Sequence, residues 1–68
     1  MTIFDFKDYF EKIIEVTTTD DKTFRGKLTG FDDAIDTSSG QDEIELYVDD
    51  CYIGIDVPSI KNFKLISS

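Results

Sequence analysis

Two glycines four residues apart, Gly26 and Gly30, interrupt a stretch that otherwise alternates like a β-strand, FRGKLTGFDDAID over residues 24–36. Glycine inside a strand loses chain entropy on folding and offers no side chain to pack. A strand that keeps two of them needs a bend, a bulge or a close backbone approach. On strict alternation Phe24, Gly26, Leu28 and Gly30 share one face, and Thr23, Arg25, Lys27 and Thr29 share the other. Alternating large and absent side chains predicts a strand that curls tightly around a core. The charge then reverses, from Lys22, Arg25 and Lys27 to Asp32, Asp33 and Asp36, which marks the passage from strand to loop.

The flanking sequence supplies partners for such a strand. Phe6, Tyr9, Phe10 and Ile13 recur at helical spacing, which predicts a short helix over residues 3–12. Thr2 with Asp5 three residues on resembles a capping box, aspartate replacing glutamate. From Ile14 the period becomes two: Ile14, Val16 and Thr18 alternate with Glu15, Thr17 and Thr19. Asp20, Asp21 and Lys22 form a turn, because aspartates bond their own backbone there. Beyond the polar loop after Asp36, Ile44, Leu46 and Val48 point inward from one strand, and Ile53, Ile55 and Val57 from the next. Asp49-Asp50 is the tight turn between them, Pro58-Ser59-Ile60 is a one-turn bridge, and residues 62–67 form a last short strand. The expected fold is mainly β, one domain over residues 1–68: a short N-terminal helix, then a five-stranded, strongly bent antiparallel barrel.

A 68-residue chain buries little surface and needs some further support. One cysteine, Cys51, forms no intrachain disulfide, and without histidine it makes no structural zinc site. Packing or self-association is the expected support. No apolar run approaches the roughly 18 residues of a membrane helix, and the N-terminus lacks the layout of a signal peptide. The expectation is a cytoplasmic location without membrane contact.

The formal net charge is −8, and residues 28–60 hold nine acids and no lysine or arginine. Such a surface repels phosphate backbones. It serves solubility, or docks a basic partner or cations. Lys22, Arg25 and Lys27 are the main basic cluster, read as solvated charges or as pairing with the acidic half of a second copy. No nucleophile stands beside a recognisable base, so no catalytic residue is assigned and no enzyme is expected. The stretch from Asp32 to Glu43 holds oxygen donors, but Thr37 stands where a calcium loop requires glycine; no metal site and no cofactor are expected.

Residues 21–36 resemble the first motif of the Sm-like (LSm) family, with Gly26, Leu28, Phe31 and Asp32 at matching spacing, and the order of elements is similar over residues 4–66. The tail over residues 57–66 is similar to small SH3-like barrels. The resemblance implies an Sm-like small barrel, self-assembled by pairing strand four of one subunit with strand five of the next. The implied interface holds Tyr52, Ile53, Ile55, Phe63 and Leu65, and lysine or proline at Ile55 is expected to break it. The family's RNA pocket would correspond to Asp32, Ile35, Asp36 and Gly54. Asp36 replaces the usual asparagine, and residues 52–60 lack the family's arginine. A carboxylate accepts hydrogen bonds but donates none, and it repels phosphate. The expected function is therefore a self-assembling binding or scaffold module. The alternatives are a degenerate RNA-binding relative, and a monomeric acidic barrel that binds a basic protein partner.

Overall fold

The computed structural model describes residues 2–32 and 40–67. Five antiparallel strands form one sheet: β1 (Ile13–Thr18), β2 (Thr23–Asp32), β3 (Glu43–Val48), β4 (Cys51–Asp56) and β5 (Ile60–Ser67). Their order is β4-β3-β2-β1-β5. Among the described residues β4 and β5 each pair with one neighbour, so the expected closed barrel is an open sheet here. The sheet is nonetheless strongly curled. Ile55 of β4 and Ile60 of β5, from its opposite edges, join one core with Ile14, Val16, Leu28, Ile44 and Leu46. The Thr19 N–H, past the end of β1, donates to the Ser59 carbonyl at 2.8 Å and ties that end to the Val57–Ser59 turn after β4.

Burial follows the alternation. Ile14, Val16 and Thr18 point inward from β1, and Ile44 and Leu46 from β3, while the residues between them are less buried. Asp49 and Asp50 both have positive φ, 49° and 66°. Val48 pairs directly with Cys51, so these two aspartates form a two-residue hairpin turn whose hand matches the sheet twist.

The expected short N-terminal helix is present in 3-10 form, as Ile3–Asp5 and Lys7–Tyr9, and Ile13 belongs to β1. The capping box is present: Asp5 accepts from the Thr2 N–H at 2.8 Å, and Thr2 Oγ1 accepts from the Phe4 N–H at 3.3 Å. Glu11, at φ 66°, ends the segment, and its N–H donates to the Leu28 carbonyl at 2.8 Å. Ten residues are too few for an α-helix to stand on local energy, and packing sets the path instead. Phe6 is fully buried, stacked on Phe63 of β5 at 4.2 Å, and Tyr9 meets the same ring edge-on at 5.2 Å.

The two glycines of β2 play different parts. Gly26 is buried, and a Cβ there would collide with the Tyr47 carbonyl oxygen and lie 2.6 Å from Val48 Cγ2. Close approach of two backbones explains it. Gly30 has ordinary room, with its nearest neighbours in the Glu45 side chain at 3.7 Å. A register shift between Leu28 and Gly30 turns Gly30 opposite Glu45 and brings Phe31 opposite buried Ile44. The inward position expected for Gly30 is therefore corrected: the bulge inverts the alternation, and Phe31 packs on the core in its place.

Candidate functional site

The two edge strands, β4 and β5, carry exposed apolar side chains and outward-facing backbone. Hydrogen-bond phase can be counted from fixed points. Val48 and Cys51 flank a two-residue turn, and the Val57 N–H donates to the Asp42 carbonyl at 2.8 Å. In an antiparallel ladder alternate residues face the partner, so Cys51, Ile53, Ile55 and Val57 address β3. The backbone groups of Tyr52, Gly54 and Asp56 therefore point away from the sheet. On the other side, the Thr18 N–H donates to the Lys22 carbonyl at 2.8 Å and the Leu28 N–H to the Lys12 carbonyl at 3.0 Å. That phase turns Glu15 and Thr17 toward their β5 partners Lys64 and Asn62, and leaves the backbone groups of Phe63 and Leu65 pointing outward.

Side chains along these edges divide into two groups. Ile55, 8% exposed, belongs to the core, and Ile53 and Phe63 pack against it. Tyr52, Leu65 and Ile66 are 65%, 45% and 39% exposed. Tyr52 leans on its cross-strand partner Tyr47, ring centroids 4.9 Å apart, and the Tyr47 hydroxyl donates to Asp50 at 3.0 Å. That bond to a carboxylate raises the pKa of the Tyr47 hydroxyl. Leu65 and Ile66 are adjacent, and neighbouring strand residues face opposite sides, so the two cannot both enter one core.

Of the RNA-pocket positions, Ile35 and Asp36 lie outside the described residues. Asp32 ends β2 and Gly54 lies on β4, with β3 between them. Gly54 instead borders a groove of about 460 Å³ between β4 and the β1–β2 turn, lined also by Thr18, Lys22 and Asp56. A Cβ on Gly54 would meet only the Glu43 carboxylate, 2.6 Å away at the end of a flexible side chain. Thr18 donates its hydroxyl to Asp20, which holds that carboxyl below its ordinary value.

The basic cluster is dispersed by pairing. Arg25 binds Glu15 at 2.8 Å, and Lys64 approaches the other oxygen of Glu15 at 3.5 Å. Lys22 lies 3.8 Å from Asp20, and Lys27 stands opposite Tyr47 on the middle strand. Glu15, on β1 between two strands that each carry a cation opposite it, is thus a cross-strand hub. The hydrogen bond from Arg25, with help from Lys64, holds its carboxyl below the ordinary value of 4.5. The folded chain therefore binds this proton less tightly than the unfolded chain. The stabilisation is complete above pH 4.5 and is lost as pH falls through the lowered value. Thermal melts of the native chain and Glu15→Gln should differ near neutrality and converge in acid. A gap that stayed constant into strong acid would contradict the pairing.

Among the described residues no group of three or more acidic or thiol side chains is placed to hold a metal ion. No described helix is long and apolar enough to cross a membrane. Comparison with protein-family models, curated proteins and solved structures finds no match.

Proposed function

We propose that this chain is a non-catalytic, Sm-like binding or scaffold module that assembles with itself through the edges of β4 and β5, most simply into a closed ring. The observation that carries the reading is the coincidence of outward backbone groups with exposed Tyr52, Leu65 and Ile66 on those two strands. An exposed edge is a template for another chain, and natural monomers guard it with proline, inward charge or a bulge. On β4 the sequence CYIGID has no proline and no charge before Asp56. Pairing β4 of one copy with β5 of the next supplies hydrogen-bond partners and buries apolar surface that a chain of this size lacks.

Light scattering across a range of protein concentrations tests the assembly. A mass several times the 7.8 kDa chain is expected, and a monomer at high concentration would overturn the reading. The second reading, a monomeric module for a basic protein, draws support from the acids of residues 43–56. RNA is not part of the proposal, because residues 52–60 have no arginine with which to stack or bond a base.

A further inference from the structure

The outer surface of the sheet is electrically polarised from one edge to the other. Residues 43–56, which form the β3–β4 hairpin, carry Glu43, Glu45, Asp49, Asp50 and Asp56 with no lysine or arginine, a formal charge of −5. At the opposite edge β5 carries Lys61 and Lys64 with no acid, a charge of +2. Lys61 reaches Asp21 at 3.0 Å and Lys64 reaches Glu15, yet their side chains remain 55% and 67% exposed. Glu15 is shared with Arg25, so two cations face one carboxylate beside this edge. The acids of β3 lie one strand spacing, about 4.8 Å, behind β4. That is within the roughly 8 Å over which charges act at physiological salt.

We infer that this polarity selects the partner of the β4 edge: the lysine-bearing β5 edge of a second copy, joined head to tail. The inference rests on the self-assembly proposed above and adds the determinant of its direction. An edge of this kind has three ways to pair with a copy of the same chain. Joining β4 to β4 about a two-fold axis sets −5 against −5, and joining β5 to β5 sets lysines against lysines. Only β4 to β5 brings opposite signs together, and that contact is heterologous, so it propagates around a ring instead of stopping at a dimer. Like-charge juxtaposition rejects wrong pairings more strongly than complementary charge strengthens the right one.

The test reverses charge at one edge at a time, with assembly read by sedimentation at fixed salt. Lys61→Glu with Lys64→Glu should weaken assembly at least about tenfold. Lys27→Glu, on the middle strand, serves as a control for added negative charge and should change it little. A second variant, Glu43→Lys with Glu45→Lys and Asp56→Lys, takes the hairpin from −5 to +1 and should also fail to assemble alone. Mixed in equal amounts, the two variants should assemble again, because each then offers the edge that the other fits. Thermal melts confirm folding; if the second variant does not fold, the first variant against the Lys27→Glu control decides. Native assembly with the edge variants unaffected, or affected no more than Lys27→Glu, overturns the inference and leaves the self-assembly reading intact. A native chain that is monomeric overturns both.

Discussion

Gly26→Val is expected to leave the chain largely unfolded at ordinary temperature. The Cβ alone would collide with the Tyr47 carbonyl oxygen, and the branched methyls would press on Val48, whose Cγ2 is already 2.6 Å from the Cβ position. The obstacle is backbone in the adjoining strand, so no rotamer change relieves it. Overpacking of a core costs about 1–3 kcal/mol, occasionally more, against a total of about 3–10 kcal/mol for a domain this long. A loss of that size lowers the melting temperature by roughly 4–8 °C per kcal/mol in a domain of this length. Gly30→Ala is the informative contrast. Its nearest neighbours would be Glu45 side-chain atoms at an ordinary 3.7 Å, so it should melt close to the native protein. Circular dichroism melts of the two variants check this, and similar behaviour of both would contradict the distinction between close approach and bulge.

The second large effect is on assembly. Ile55 is unsuited as a target, because it is 8% exposed within the core and its backbone addresses β3; lysine or proline there would damage the single chain as well. Leu65 is the better position. Its side chain is 45% exposed and its N–H points away from β1. Leu65→Pro removes that donor and most of the apolar side chain while leaving the ladder to β1 in place, a position where an edge strand tolerates proline. The lost hydrogen bond accounts for about 1 kcal/mol, and the part of Leu65 still exposed in the single chain for about 0.7–1.3 kcal/mol. Each contact between copies should weaken roughly 20- to 50-fold. The expected species is a folded monomer near 7.8 kDa. Assembly equal to the native chain at the same concentration would remove β5 from the interface.

The alternation of Ile14, Val16 and Thr18, and of Ile44 with Leu46, was legible because a half-buried strand writes a period of two directly into the sequence. The Asp49-Asp50 turn was equally plain, since aspartate tolerates the positive φ that a two-residue hairpin requires. The bulge after Leu28 left no such mark. Gly30 fits the inward series as well as it fits the shifted one, and only the pairing with Glu45 and the packing of Phe31 decide between them. The N-terminal aromatics carried a helical spacing and the helix is present, but its 3-10 form and the packing of Phe6 and Tyr9 on Phe63, a long-range contact, were not legible. At the edges the exposed residues were partly legible. Tyr52 and Leu65 followed from the strand assignment, as did the inward side of Ile55, whereas the packing of Phe63 within one chain depends on how tightly the sheet curls.

Amide hydrogen exchange at the two edges tests the self-assembly reading most directly, because it reads the backbone groups that the assembly would bond. In a single chain the amides of Tyr52, Gly54, Phe63 and Leu65 face outward, while those of Ile53, Ile55 and Lys64 are bonded within the sheet. Self-assembly predicts that both sets exchange slowly at high protein concentration, and that the outward set alone accelerates on dilution. Outward amides that exchanged as fast as those of the Asp49-Asp50 turn at every concentration would contradict it.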